Sequence, residues 1–93
     1  MKNITLDIKK IFSKILKIPI TNISNGLSYI KSDKWDSLNH MKLVAQIEKK
    51  FKIQFLMKDV IDMQTFSKTI KIIDKYLKKK IKIFNISFLN KIK

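Results

Sequence analysis

The tripeptide Asp36-Ser37-Leu38 ends an aperiodic stretch, residues 19 to 35, and opens a regular helical pattern, LNHMKLVAQIEKKFK, from Leu38 to about Lys52. One small hydroxyl therefore stands at a helix N-terminus, exposed and open to modification. Backbone N–H groups without intrahelical partners and the positive end of the helix dipole favour an anion at that place. Any fold of this chain has to cover the long approach with its own core while leaving that start accessible.

The rest of the chain reads as helices around this start. From Thr5, expected as an N-cap, apolar residues recur at Ile8, Ile11, Phe12, Ile15 and Leu16, the spacing of one helix face, until Pro19. Lys9, Lys10, Lys14 and Lys17 form the solvated back of that helix. Residues 19 to 35 hold Pro19, Asn22, Asn25 and Gly26 and show no period, so they form a long loop. A loop of this length needs a reason in a small domain, and Ile20, Ile23, Leu27, Tyr29 and Ile30 are the residues expected to pin it.

In the second helix the expected buried stripe is Met41, Val44, Ile47 and Phe51, with Leu43 at its margin. Asn39, Lys42, Gln46 and Lys49 share the opposite face, which begins beside Ser37. Ile53 and Phe55 lead into a short helix or single turn over Met57 to Met63. Thr65 then caps a fourth helix with Phe66, Ile70, Ile73 and Leu77 at helical spacing. The expected fold is all-α: a small four-helix bundle with a long loop between helices 1 and 2 and a short third helix. The domain is expected over residues 1–78. In the tail, 79–93, Ile81 and Ile83 alternate like a strand while Ile81, Phe84, Phe88 and Ile92 share a helix face, and periodicity leaves the two open. We read it as an appended basic amphipathic element.

Composition narrows the function classes. Ninety-three residues make one domain with a modest core. The chain has no Cys and one His, which excludes disulfides and thiolate metal sites and argues against an ordinary zinc site. Lysines interrupt every apolar run, so no membrane span and no signal-peptide apolar region is expected, and a cytoplasmic protein is the simplest reading. The net charge of +14 raises nucleic acid or an anionic surface as a partner. Two considerations oppose nucleic acid. All 21 basic residues are Lys, so the bidentate contacts that Arg makes are unavailable, and Lys, Ile and Asn codons are A/T-rich, so a low-GC genome can supply the excess.

With its surroundings, the tripeptide resembles the acyl carrier protein family. The resemblance runs from about Ile8 to Leu77: a first helix, a long loop, Asp36-Ser37-Leu38, the Ile47-Glu48-Lys49-Lys50-Phe51-Lys52-Ile53 helix exit, and Thr65-Phe66 opening a last helix. It implies a carrier rather than an enzyme. The serine matching Ser37 carries 4'-phosphopantetheine, transferred from coenzyme A, and acyl or aminoacyl groups ride on that arm for separate enzymes. The counterpart of Asp36 helps to hold Mg²⁺ in the complex with the phosphopantetheinyl transferase, beside its own role as an N-cap; no metal site on this chain alone is expected. Leu38 resembles the family leucine that neighbours the arm and contacts partners, with a half-buried core role as its alternative. Asn39, Lys42, Gln46 and Lys49 are the expected docking residues of a monomeric carrier.

Two departures from the family pattern bear on partners. Trp35 stands where many members have a small residue, and is expected to anchor the loop or to shape the neighbourhood of the arm. Lys42, Lys49, Lys50 and Lys52 outnumber Glu48 on a helix that is usually acidic, which favours acidic partner surfaces. Discrete carriers of dedicated pathways, such as surface-polysaccharide modification, polyketide or nonribosomal peptide synthesis, often have a Trp-Asp-Ser-Leu segment. His40, three residues after Ser37, is expected at the surface beside the arm and not as a base, because there is no Gly-x-Ser-x-Gly elbow and no orienting third group. Val44, Ile47, Phe51 and Ile70 are both core candidates and candidates for an acyl slot. The alternative function is a basic helical binding module for nucleic acid or an acidic protein, in which Ser37 is only a helix start.

Overall fold

The computed structural model describes the backbone of residues 4–92 and the side chains of residues 4–80. Four helices follow in order: α1 (Ile4–Leu16), α2 (Ser37–Phe51), α3 (Met57–Asp62) and α4 (Phe66–Ile92), with a single 3-10 turn at Ile20–Asn22 between the first two. The small helical bundle expected from the periodicity is thus the fold, with its long loop and its short third helix in place.

Helix α1 packs along α2 and buries Ile8, Phe12 and Leu16. Thr5, expected as the N-cap, instead lies inside α1. The helix stops because Lys17 takes a left-handed conformation (φ 58°) and donates its N–H to the Ser13 carbonyl at 2.9 Å, two residues before Pro19 could not have continued it. Phe12 is the centre of the core. Its ring meets those of Trp35 and Phe66 edge to face, each at 5.0 Å between centroids, which ties the loop and α4 to α1 through one side chain.

The long loop is held by backbone as much as by apolar side chains. Tyr29 donates its N–H to Gln64 O (2.8 Å) and Phe66 donates to Leu27 O (2.9 Å), forming an isolated antiparallel bridge between Ser28 and Thr65. The loop and the start of α4 therefore satisfy each other's backbone groups, which is what allows so much aperiodic chain to lie against a core. Ile23 is buried, and Leu27 and Tyr29 are half-buried, as expected of pins. Ile30 is not one: it is 83% exposed, on the turn that follows the bridge.

The buried face of α2 also departs from expectation. Leu43 is 2% exposed and belongs to the core with Val44 and Ile47, whereas Met41 is 51% exposed and lies outside it. The reason is His40. Its imidazole, half-buried and hydrogen-bonded, takes the place on the inner face that hydropathy alone gave to Met41, and the face runs His40, Leu43, Val44, Ile47 and Phe51. Lys52, left-handed at φ 55°, closes α2 with its N–H on Glu48 O. The Glu48 carboxylate then accepts the Phe55 N–H at 2.9 Å and sets the path into α3.

Thr65 caps α4 as expected, its Oγ1 accepting the Lys68 N–H at 3.0 Å. Phe66, Ile72 and Ile73 are buried along α4, together with Thr69, whose hydroxyl is satisfied by Thr65 O at 2.8 Å; Ile70 and Leu77 lie at the margin. The backbone remains helical past Lys78, the expected domain boundary, to Ile92, which settles the tail as helix rather than strand; its side chains from Ile81 onward lie outside those described. No described helix is long and apolar enough to cross a membrane.

Candidate functional site

Ser37 occupies the first helical position of α2 and is exposed. Asp36 is its N-cap: extended at φ −97°, ψ −177°, it accepts the Asn39 N–H on Oδ1 at 2.8 Å, and its carbonyl accepts the His40 N–H at 2.8 Å. A Ser/Thr/Asp/Asn cap of this kind contributes about 1 kcal/mol to a helix. With those two amides taken, the amides of Ser37 and Leu38 are left at the open end of the helix, where an anion attached to Ser37 Oγ would meet them. An exposed hydroxyl, first-turn amides and the helix dipole together fit a phosphodiester at this atom.

The residues expected around Ser37 divide. Leu38 is 66% exposed, which removes the core alternative and leaves it free to touch a partner. Lys42, Gln46 and Lys49 are exposed along α2 on one face. Asn39 is less available than expected, because its side-chain amide donates to Lys34 O at 2.7 Å and secures the end of the loop. Beyond this stripe, Lys42, Ala45 and Gln46 join Ile11, Lys14 and Ile15 in lining a groove of about 210 Å³ between α1 and α2.

Trp35 is buried (1% exposed) and anchors the loop, with its ring edge-on to Phe12 and its indole N–H donating to His40 Nδ1 at 3.0 Å. His40 is a correction to the expectation of a free surface residue. Its second nitrogen, Nε2, pairs with Val60 O of α3 at 2.8 Å, so both ring nitrogens are committed to structure. Of the slot anticipated among Val44, Ile47, Phe51 and Ile70, the part at Val44 and Ile47 is closed: the gap that those two share with Phe12, Trp35, His40, Leu43, Met63 and Thr69 admits no water-sized molecule. His40 also lines an open cleft of about 290 Å³, together with Tyr29, Ile61, Met63 and Gln64.

One residue at the site was not singled out from the sequence as more than a loop pin. The Tyr29 hydroxyl lies 2.9 Å from Ser37 Oγ, and the Tyr29 ring stands edge-on to Trp35 and His40 at 6.3 and 5.7 Å. Nothing in the spacing marks a residue eight positions upstream of the helix start, since the contact depends on how the loop folds back.

Comparison with known proteins bears on the fold and the family. No family model matches the chain. Among curated proteins, it is similar to the acyl carrier protein of Buchnera aphidicola subsp. Schizaphis graminum, 37% identical over 79 residues that span 85% of this chain and all of that protein. Among solved structures, it is similar to the solution structure of holo acyl carrier protein from Geobacter metallireducens, with a TM-score of 0.73 and 28% identity over 84% of this chain and 91% of that one.

Proposed function

The chain belongs to the acyl carrier protein family, and from that premise we propose that Ser37 is the residue on which it carries its 4'-phosphopantetheine arm. The protein is a carrier and not a catalyst. The arm supplies a terminal thiol on which acyl groups are held as thioesters, and everything else falls to this chain's own residues. Ser37 provides the oxygen of attachment. Asp36 fixes the first turn of α2 and offers its free carboxylate oxygen toward the Mg²⁺ that a phosphopantetheinyl transferase brings. Leu38 gives partners an apolar contact beside the arm.

The observation that carries this assignment is the exposed hydroxyl at the first position of a capped helix. The test is intact-protein mass after incubation of the apo chain with coenzyme A, Mg²⁺ and a promiscuous transferase. The wild type gains one phosphopantetheine and Ser37→Ala gains none; modification that persists in Ser37→Ala refutes the site.

The finer reading concerns partners. Lys42 and Lys49, with Gln46 between them and Asn39 at the end nearer Ser37, form the docking stripe, and the groove floored by Ile11, Ile15 and Ala45 continues it toward α1. A basic stripe discriminates against basic partner enzymes and steers acidic ones. The protein thus serves a dedicated pathway, such as surface-polysaccharide modification, polyketide or nonribosomal peptide synthesis, rather than housekeeping lipid synthesis. It works as a cytoplasmic monomer whose carrier domain spans residues 1–78, with 79–93 as an appended basic element.

A further inference from the structure

Tyr29 is placed at Ser37 by restraints that act independently of their hydroxyl contact. Its N–H is bound to Gln64 O, which fixes the loop backbone against the start of α4, and its ring is braced by Trp35 and His40, which fixes the direction of the phenol. The 2.9 Å approach of the two hydroxyls is the result. While both carry a proton, either can donate. Attachment of the arm removes that choice. Ser37 Oγ forms a bond to the phosphorus that bears pantetheine, the bond from that phosphorus to the second phosphate of coenzyme A breaks, adenosine bisphosphate leaves with the electron pair, and the serine proton passes to a base on the transferase. Oγ is then an ester oxygen without hydrogen, and the phenol is the one member of the pair that can still donate.

We propose that Tyr29 is a ligand of the phosphodiester on Ser37, its O–H donating to a charged phosphate oxygen at the root of the arm. A bond to an anionic acceptor is shorter and roughly twice as strong as one between neutral groups, so the contact gains strength when the arm is attached. Tyr29 also lines the cleft that it shares with His40, Ile61, Met63 and Gln64. The bond therefore ties the root of the arm to a residue of the cleft wall and opposes its free rotation about the serine. This rests on Ser37 being the attachment point.

The experiment compares full-length wild type and Tyr29→Phe, each first converted by a promiscuous transferase. Intact mass tests the attachment by itself: no gain, or a gain that survives Ser37→Ala, removes the premise before Tyr29 is considered. In the converted proteins the phosphorus NMR signal is then read, folded and in urea. In the wild type the folded signal stands away from its position in urea, and in Tyr29→Phe it returns at least halfway. Coincident folded signals in the two proteins overturn the proposal. If Tyr29→Phe does not fold, the converted wild type still decides: cross-peaks between the Tyr29 ring protons and the methylene next to the phosphate support the contact, and their absence overturns it.

Discussion

Trp35 and His40 are joined by a hydrogen bond whose direction fixes the tautomer of the histidine. An indole N–H can only donate, so His40 Nδ1, 3.0 Å away, accepts, and Nε2 carries the proton that goes to Val60 O at 2.8 Å. The two rings lie nearly parallel, 29° apart. The only histidine of the chain, three residues from Ser37, is thereby a brace between the loop, α2 and α3 and has no nitrogen to spare for that serine. Long-range nitrogen-proton correlation at pH 8 should show the Nε2–H form. His40→Ala should cost about 2–3 kcal/mol in urea unfolding, since it leaves a buried indole donor and a carbonyl unpaired. In a cycle with Trp35→Phe the two effects should fall short of additive by about 1 kcal/mol. A His40→Ala protein of full stability that is no longer modified would contradict this and restore the histidine as a reactant.

What could be read in the sequence was what depends on local spacing. The helix start at Asp36, the cap at Thr65 and the inner face of α1 are patterns within one or two turns, and they fold as read; on α4, Phe66 and Ile73 are buried as read, but Thr69 and Ile72 join them while Ile70 and Leu77 stay at the margin. The misses are long-range. Met41 and Leu43 exchange roles because His40 is satisfied by partners five and twenty residues away, which no hydropathy pattern encodes. The loop holds through a backbone bridge between Ser28 and Thr65, and backbone groups have no signature in residue type. The part of the site carried by Asp36, Ser37 and Leu38 was visible for the same local reason, and Tyr29 was hidden because the bridge is what brings it there.

Asp59 and Tyr76 form a second pair with a pH signature. Tyr76 donates to Asp59 Oδ2 at 2.5 Å while accepting the Leu56 N–H at 2.8 Å, and Lys75 approaches Oδ1 at 3.3 Å. The Tyr76 hydrogen bond, and after it Lys75, holds the Asp59 carboxyl below its ordinary value against the opposing effect of burial; burial and the same bond push the Tyr76 phenol up. A lowered carboxyl stabilises the fold fully above its unfolded pKa of about 3.9, and that contribution is lost as pH falls through the folded value. A raised phenol stabilises fully below about pH 10 and loses that contribution as pH rises through its folded value. Tyr76→Phe should cost about 2 kcal/mol at pH 7 and move the onset of acid unfolding to higher pH, because burial then acts on Asp59 with its main support gone. Urea midpoints between pH 2 and 8 check this. A deficit that stays constant down to pH 2 would show that the charge of Asp59 has no part in it.

Lys80 crosses the proposed boundary of the carrier domain. Its ammonium donates to the carbonyls of Phe51 and Lys52 at 3.0 and 3.1 Å, where the C-terminus of α2 presents them to a cation. A chain ending at Lys80 should unfold within about 0.5 kcal/mol of one that ends there with Lys80→Ala, given that the group is exposed and its gain is screened. Both should retain modification at Ser37. A collapse of stability in either, followed by denaturant titration, would move the edge of the domain into the remainder of α4.

The charge of α2 should decide which enzymes the carrier meets. Lys42 and Lys49 are exposed, and neither takes part in an ion pair or side-chain hydrogen bond among the described residues, so replacing them changes the surface with little effect on the core. Each reversal to Glu changes the local charge by two units on a face that begins at Ser37; at the rise of a helix Lys42 stands about 8 Å along the axis from Ser37, about one Debye length at physiological salt, and Lys49 about 18 Å, where it acts on the approaching partner more than on the serine. Lys42→Glu with Lys49→Glu should therefore raise kcat/KM about tenfold for a transferase that prefers acidic carriers, mostly through KM, because the charges steer encounter and leave the reacting hydroxyl as it was. The gain should shrink as salt is raised from 50 to 500 mM, a range over which the Debye length falls to less than about half. Equal rates for the double variant and the wild type at low salt would mean that partners approach Ser37 from another side of the bundle.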